Sequence, residues 1–316
     1  MRRGTSGINA LIGVDKPLGM TSHDVVAHVR RALGERRVGH AGTLDPDASG
    51  VLVVGVGQGT RLMGLLTAER KSYMGLVVFG SETDTDDAEG AVTRTADVPA
   101  WAFDEAAARE RLASLVGSFM QVPPAYSAIS VNGVRSYARA RAGEQVELEA
   151  RPVTIHAVEL VAIQNVDGAC AWLCSFDVSK GCYIRAIARD LGRACSTAAH
   201  LGGLTRTSSG SISLGSCVNL ERLEAEGAAL LDSASLDPVA CLGLPARILT
   251  AAELADAACG KRLPVGAVSS QVAEGGLVSL VNEGKLYGVW RRTGRQLVSQ
   301  TNFCLLYTSP SPRDHG

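Results

Sequence analysis

A glycine-rich loop, Gly39–Gly50, carries the strongest candidate for a catalytic carboxylate in the sequence. Glycines of this kind allow a backbone to approach a ligand closely. Asp45 precedes Pro46, which fixes a turn, and the loop leads directly into the apolar run Val51–Val56. A carboxylate held at the mouth of a buried strand is well placed for nucleophilic or acid–base catalysis. From this loop alone, the alternative is that Asp45 only caps a tight turn.

Two further segments contain residue types that ligand-binding sites use. Gly55–Thr60 is similar to a nucleotide-binding loop. However, Thr60 replaces the third glycine and no Lys-Ser or Lys-Thr pair follows, which favours a turn or the start of a helix. In Ser179–Arg185, Arg185 falls in the first turn of a predicted helix, where the helix dipole disfavours a cation. Such an arginine often has an anionic partner elsewhere, although a solvated surface arginine fits the pattern as well.

The elements that must position these segments follow from apolar periodicity and from capping residues. Helices are predicted at about Thr21–Gly34, Asp104–Val116 and Tyr183–Ala194. Strands are predicted at Ala10–Val14, Val51–Val56, Lys71–Phe79, Val153–Ile163 and Ala169–Val178. Helices and strands are interspersed irregularly, which predicts an α+β fold with a mixed sheet rather than a βαβ repeat.

The connections between these elements also have characteristic sequences. Thr83–Gly90 is predicted to be an acidic turn between strands. Gln121–Ala128 is predicted to be extended because its two prolines disfavour a helix. Asn132-Gly133 predicts a hairpin turn, and Tyr137–Arg141 predicts a short basic helix.

Composition limits the class of protein. The 316 residues are 46% hydrophobic, which is enough for one large domain and a small one. The sequence contains neither an apolar run long enough to span a membrane nor a signal-peptide core, so we expect a soluble cytoplasmic protein with no membrane partner. The eight cysteines form no C-x-x-C pair. We therefore expect buried thiols rather than a disulfide framework or a zinc site.

The distribution of charge is more informative than the net charge of −1. Residues 1–72 contain ten Lys and Arg against six Asp and Glu, whereas residues 81–110 contain nine acids against two Arg. A chain that separates its charges in this way can present a basic face to a nucleic acid despite overall neutrality. Charge alone leaves this question open.

Taken together, the motifs resemble those of a known family. The chain is similar to the bacterial tRNA pseudouridine-55 synthases, the TruB-type pseudouridine synthases, over about residues 8–210. The matching segments are Asp15–Ser22, Val38–Gly50, Lys71–Tyr73, Thr83–Gly90, Gln121–Ala128 and Ser179–Arg185. Six motifs in the same order and spacing make a chance match very improbable.

The resemblance implies a fold and a domain organisation. It implies the pseudouridine synthase fold, with a mixed, mainly antiparallel sheet and a central cleft, followed by a small β-rich C-terminal module. The expected catalytic domain spans 8–220, and the expected RNA-binding, PUA-like module spans 245–300, where the unusual tail that follows could truncate it. Within residues 301–316, Cys304–Tyr307 interrupts a plausible β unit and Ser309–Gly316 has a linker-like sequence. We interpret 301–316 as a tail that is not native coding sequence; re-sequencing the source DNA across codon 300 would test this.

The resemblance also implies roles for individual residues. Asp45 corresponds to the catalytic aspartate, Tyr73 to the tyrosine that stacks on the target base and is placed to remove its C5 proton, and Arg185 to the arginine that pairs with the aspartate. The remaining expected contacts to substrate or RNA are His40, which helps hold the RNA loop, Lys16, read as supporting the active-site loop, and Gly42, Lys71 and Tyr183. The partner is then the T-arm of tRNA, bound by a monomer without metal or other cofactor, with phosphate contacts from the basic segments 30–37, 61–71 and 135–141.

Three other functions compete with this hypothesis. The same cleft could bind or refold RNA without turnover. A related synthase could act on a different RNA. A nucleotide-binding enzyme could use Gly55–Gly59. Release of tritium from 5-tritiated uridine in tRNA would exclude the first and the third, and a transcript with cytidine at position 55 would separate the second.

Overall fold

The computed structural model describes residues 6–67, 70–127, 148–166 and 168–303, and the backbone of 130–131 and 134–135. In the described residues the α-helices are α1 Ser22–Leu33, α2 Met63–Leu66, α3 Glu105–Ala113, α4 Ile184–Ala194, α5 Leu220–Glu226, α6 Leu231–Ala234, α7 Pro238–Leu242 and α8 Ala251–Ala258. None of these helices is long and apolar enough to cross a membrane.

Strands make up much of the remaining described chain. In the first half they are β1 Ala10–Lys16, β2 Val38–Ala41, β3 Ala48–Val56, β4 Lys71–Phe79, β5 Ser81–Thr83, β6 Val92–Thr95, β7 Gly117–Gln121, β8 Ser130–Val131 and β9 Val134–Arg135. In the second half they are β10 Arg151–Val166, β11 Ala169–Val178, β12 Ala199–Ser209, β13 Ile212–Ser213, β14 Ala246–Ile248, β15 Leu263–Pro264, β16 Leu277–Asn282, β17 Lys285–Thr293 and β18 Gln296–Asn302.

The chain divides into two compact units that are each discontinuous in sequence. The first unit comprises residues 1–46, 51–68 and 210–316, and the second comprises 47–50 and 69–209. The boundaries of these units do not coincide with those of the expected domains 8–220 and 245–300. The two functional domains stay a prediction.

In the first unit, α1 covers the inner faces of β1 and β3. Its side chains at positions 25, 26, 29 and 33 lie on one helical face, as 3.6-residue periodicity requires, and each is at most 4% exposed. They pack with apolar residues of both strands and of α5. Thr21 and Asp24 form a reciprocal capping box at the start of α1, and Gly34 ends it in the left-handed conformation.

The first unit also contains a β-rich C-terminal module. Its five strands are ordered β14-β16-β17-β18-β15, and they enclose a core around the fully buried Trp290. The indole N–H of Trp290 donates to Asn302 Oδ1 at 2.6 Å. Thr301 and Asn302 belong to β18 and Phe303 is 4% exposed, so the first residues of the suspected tail are part of the fold. Residues 304–316 lie outside the described chain.

The second unit is a mainly antiparallel sheet with helices packed on it. Its strands are ordered β12-β4-β11-β10-β7, all antiparallel, and the first residues of β3 pair with β12 in parallel. Helix α4 packs on β12 and β4, and α3 packs on β10. Trp172 is fully buried, donates its indole N–H to the Ala102 carbonyl at 2.8 Å, and lies edge-on to Phe79. The predicted α+β class with a mixed, mainly antiparallel sheet is confirmed.

Several predicted elements differ from the structure at their ends. Asp104 caps α3 by accepting from the Ala107 N–H, but the helix ends at Ala113 rather than near Val116, because the chain turns at Gly117 (φ 135°) into β7. The acidic turn lies between β5 and β6 as expected. The Asn132-Gly133 turn and the basic helix 137–141 fall outside the described residues.

Candidate active site

The backbone on both sides of Asp45 is anchored within the first unit. The Leu44 N–H donates to Ser22 Oγ at 2.9 Å, and Ser22 Oγ donates to the Leu44 carbonyl at 3.1 Å. On the other side, the Pro46 carbonyl accepts from the Gly19 N–H at 2.9 Å. Ser22 and Leu44 are 1% and 4% exposed, while Asp45 itself is half-buried. The turn therefore presents the carboxylate from a fixed backbone.

Lys16 is the strongest of these anchors. Its side chain is completely buried, and Nζ donates to the carbonyl oxygens of Pro17, Met20 and Pro46 at 2.8, 2.6 and 3.1 Å. An ammonium carries three donors, and here it ties the 17–20 turn to the residue that follows Asp45. The fully buried ammonium therefore holds the backbone next to Asp45, and the role of Lys16 towards RNA stays a prediction.

His40 and Gly42 lie just before Asp45. His40 is in β2, where it pairs with Val54 of β3, and its ring is half-buried. The ring lies edge-on to that of His23 in α1, with centroids 5.4 Å apart and an interplanar angle of 84°. Gly42 has φ 81°, a conformation that a side chain disfavours.

At the other end of the loop, glycine is required at position 50. A Cβ there would lie 2.2 Å from the Arg206 carbonyl oxygen, and φ is 99°. The close approach of β3 to β12 in the second unit depends on this residue.

Tyr73 and Lys71 lie on the inner face of β4. Alternate residues of this strand are buried, and Lys71 and Tyr73 are 7% and 8% exposed. Tyr73 pairs across the sheet with Phe176 in β11 and with Arg206 in β12. Arg206 is only 1% exposed. The predicted base-stacking tyrosine therefore has a buried arginine as its neighbour in β12.

Arg185 lies in the first turn of α4 and is 6% exposed. Nη1 donates to the Thr85 carbonyl at 2.9 Å and Nη2 to the Tyr126 carbonyl at 3.0 Å. Asp87 Oδ2 is 3.5 Å from Nη1. The alternative of a solvated surface arginine is therefore wrong, and the acidic turn supplies an anionic partner.

The start of α4 is fixed by a glutamine. Tyr183 occupies the N-cap, and Gln121 accepts from its N–H at 2.9 Å and donates to its carbonyl at 3.1 Å. Gln121 is 1% exposed. This pair of hydrogen bonds joins the end of β7 to the helix that carries Arg185.

A row of three arginines on α4 engages the acidic turn. Arg185, Arg189 and Arg193, which we call the arginine row, are four residues apart and therefore share one helical face. Arg189 contacts Asp86 and Arg193 contacts Glu82, both at 2.7 Å. Arg94 also pairs with Glu82. These acids are thus neutralised within the second unit.

Burial and pairing change the pKa values of two of these acids in opposite directions. Burial raises the pKa of Glu82, but hydrogen bonds from Arg193 and Arg94 together outweigh burial and hold it at about 2. Burial raises the pKa of Asp86 to about 6 even though Arg189 and Arg185 oppose the shift. Glu82 is therefore the more firmly ionised end of the arginine row.

Comparison with known proteins identifies the family. Residues 30–184 match the family described as "TruB family pseudouridylate synthase (N terminal domain)". A protein of Nocardia farcinica named "tRNA pseudouridine synthase B" is 44% identical over 87% of this chain and 90% of its own length. A Mycobacterium tuberculosis protein of the same name is 44% identical over 86% of this chain and 91% of its own. The chain belongs to the TruB family of pseudouridylate synthases.

As a TruB family member, the chain is an isomerase that converts uridine to pseudouridine. The fold agrees with solved structures. A chain of the structure titled "Crystal structure of the archaeal box H/ACA sRNP Nop10-Cbf5 complex" matches with a TM-score of 0.67 and 22% identity. The match covers 96% of the present chain and 87% of the chain in that structure. A second, titled "Structure of H/ACA RNP bound to a substrate RNA containing 2'-deoxyuridine", has a TM-score of 0.67, 21% identity and coverage of 94% and 85%. At these identities the likeness concerns the fold alone.

The predicted site residues of this TruB family member are distributed over both units. Asp45, His40, Gly42 and Lys16 belong to the first unit, and the second contains Tyr73, Arg185, Lys71 and Tyr183. The pairing of Asp45 with Arg185 and the individual roles stay predictions. Within the segment Gly55–Thr60, a 3₁₀-helix begins at Gly57 and continues to Leu62. This confirms the interpretation of the segment as the start of a helix.

Sequence reasoning included four residues in matching motifs without seeing that they position others. Ser22 and Gln121 act through backbone hydrogen bonds, and Asp86 and Asp87 act through the arginine row. The four-residue spacing of the three arginines, together with a strongly acidic turn elsewhere in the sequence, was a usable signal for Asp86 and Asp87. The uncharged pairs left no comparable pattern.

Proposed function

We propose that this chain converts uridine to pseudouridine at position 55 in the T-loop of tRNA, with Asp45 as the catalytic carboxylate. The observation that carries the proposal is the 44% identity to proteins named tRNA pseudouridine synthase B over most of the chain. The anchored turn around Asp45 supports it, because a catalytic group must be held by its surroundings before substrate arrives.

The reaction requires a carboxylate but no change in oxidation state. The N1–C1′ bond of uridine breaks, the uracil turns, and a C5–C1′ bond forms. The C5 proton leaves and N1 takes up a proton, so the product is an isomer of the substrate. We assign the ionised Asp45 to C1′ chemistry, by direct attack or by way of a glycal, and Tyr73 to base stacking and removal of the C5 proton. The bond exchange neither consumes water nor transfers electrons, so amino-acid side chains can supply these roles.

We propose that the guanidinium of Arg185 pairs with the carboxylate of Asp45 and orients it for the reaction. A guanidinium favours the charged form of a neighbouring carboxylate and can bind both of its oxygens. The contacts of Arg185 to the Thr85 and Tyr126 carbonyls hold the group in one orientation. This preorganisation lowers the entropic cost of each bond that the guanidinium forms.

Binding must turn the target base out of a folded loop. Unstacking costs a few kcal/mol, and stacking on an aromatic side chain such as Tyr73 recovers part of that cost. We propose that the basic segments 30–37 and 61–71 contact phosphates. Two acids of the turn 83–90, Asp86 and Asp87, are already paired with arginines, which reduces the repulsion between this turn and RNA. We further propose that the protein acts as a monomer in the cytoplasm.

The test is tritium release from 5-tritiated uridine in tRNA transcripts. We expect release from wild-type transcript and none when uridine 55 is replaced by cytidine. Release that persists with cytidine at position 55 would show another target uridine. RNA binding without any release would leave a non-catalytic binding or chaperone role. A T-arm minihelix, run in parallel, shows whether the rest of the tRNA is needed.

A further inference from the structure

Three residues at or just before the start of α1 contact the Asp45 loop, Gly39–Gly50. Gly19 bonds to Pro46 and Ser22 bonds to Leu44. The third is the edge-to-face contact between the rings of His23 and His40. The first two contacts explain how the loop backbone is held. The third involves a residue, His23, to which the motif resemblance gives no role.

Both rings project from rigid backbone. The capping box of Thr21 and Asp24 fixes the first turn of α1, and the buried Ser22 joins that turn to the loop. His40 is held in β2 by pairing with Val54. With both backbones fixed, His23 limits the rotamers that the half-buried His40 ring can adopt.

The two rings differ in solvent exposure, which bears on whether their contact is needed for folding. His23 is exposed and His40 is half-buried. An exposed side chain at the start of a helix contributes little to the core, so its contact with His40 is not needed for folding. An edge-to-face aromatic pair is worth about 0.5–1.5 kcal/mol beyond area burial, which corresponds to a change of about 2- to 12-fold in an equilibrium constant.

We propose that His23 is a positioning residue for RNA binding, which holds the His40 ring in the orientation that receives the T-loop around the target uridine. The inference rests on the proposed function, since it assigns His40 to the RNA. It predicts that loss of His23 weakens substrate binding and leaves the bond exchange at Asp45 unchanged.

The experiment compares His23→Ala, His23→Phe and His28→Ala by tritium release from full-length tRNA transcripts. His28 lies on the same helix and contacts Glu224 instead, so it is a matched control. We expect His23→Ala to raise KM about fivefold with kcat within twofold of wild type. The phenylalanine variant should restore KM because it can keep an edge contact, and His28→Ala should leave both constants unchanged.

A double-mutant cycle with His40→Ala tests the coupling directly. If His23 acts through His40, adding His23→Ala to His40→Ala should raise KM no further. Additive losses, an unchanged KM in His23→Ala, or no rescue by phenylalanine would each overturn the proposal. Thermal unfolding of every variant excludes misfolding as the cause. Absence of release from the wild-type protein would instead refute the proposed function, so the two failures are distinguishable.

Discussion

The two regions that carry the main predicted catalytic residues are held by different physical means. The turn around Asp45 is fixed by hydrogen bonds to backbone, through Ser22, Gly19 and the buried ammonium of Lys16. Arg185 also donates to two backbone carbonyls, but it belongs to a row of arginines that pairs with acids, namely Asp86, Asp87 and Glu82. Backbone acceptors do not titrate, whereas carboxylates do. We therefore expect the Asp45 turn to tolerate acid and salt better than the arginine row.

This contrast fits the proposed roles. A catalytic carboxylate gains from a backbone that keeps its position when the pH changes. The arginine row places charges close together, which keeps the guanidinium of Arg185 in a strongly polar environment. It also pairs with Asp86 and Asp87, and so reduces the negative charge that the turn presents to RNA. The predictions below test whether the two regions differ in this way.

The largest expected effect is loss of catalysis on changing Asp45. Asn keeps the shape of the side chain but cannot carry the negative charge, so Asp45→Asn should bind tRNA normally and release no tritium. Asp47→Asn, an exposed acid in the same loop, is the matched control and should stay active. Turnover within tenfold of wild type in Asp45→Asn would reject Asp45 as the catalytic carboxylate.

The next effect concerns the geometry of Arg185. Lysine keeps the charge but cannot donate to two carbonyls and a carboxylate from one planar group. We expect Arg185→Lys to lower kcat on the order of 100-fold, a loss typical of small misplacements in a catalytic site. Arg222→Lys changes an exposed arginine that pairs with Glu226 along α5 and should have no effect. Wild-type kcat in Arg185→Lys would contradict the two-pronged contact.

Local sequence signals predicted the elements but not the contacts between them. The strand Lys71–Phe79 and the helix that begins after Thr21 were predictable because alternation, capping and a terminal glycine all act within a few residues. The bonds of Gln121 to Tyr183 join residues 62 positions apart. Nothing in the local composition of either segment encodes that pairing.

The site shows the same limit. Asp45, Tyr73 and Arg185 were found because they lie in motifs that resemble a known family, and their burial is a property of the fold. Lys71 was expected to contact RNA, yet its side chain is 7% exposed. A lysine at the start of a strand gives no sign of burial in its sequence, because burial depends on the residues that the rest of the sheet places over it.

A smaller effect should follow from removing the buried ammonium of Lys16. Lys16→Met deprives three carbonyls of a donor, and we expect the free energy of unfolding to fall by about 3 kcal/mol. Because the Asp45 turn loses an anchor, kcat should fall as well. The exposed Lys180→Met is the control. Urea unfolding at low and high salt measures the stability of both variants, and tritium release measures their kcat. A stability loss that disappears in high salt would contradict the view that this turn is held by salt-insensitive contacts.

The smallest effect is a pH dependence at the other end of the arginine row. The pKa of Glu82 is lowered from 4.5 to about 2 in the fold. Its contribution to stability is therefore complete above pH 4.5 and is lost as the pH falls through about 2. Glu82→Gln should be less stable than wild type by about 2 kcal/mol at pH 7, a value reduced from the full shift because Arg193 and Arg94 are partly exposed.

The difference in unfolding free energy between Glu82→Gln and wild type should shrink as the pH falls from 4.5 towards 2, since glutamine does not titrate. Glu105→Gln, which changes an exposed acid paired with Arg109, should show almost no difference at any pH. Denaturant unfolding of the three proteins across this range gives the comparison. A difference between Glu82→Gln and wild type that stays constant down to pH 2 would mean that charge at Glu82 does not hold the arginine row. The contrast with the Asp45 turn would then fail.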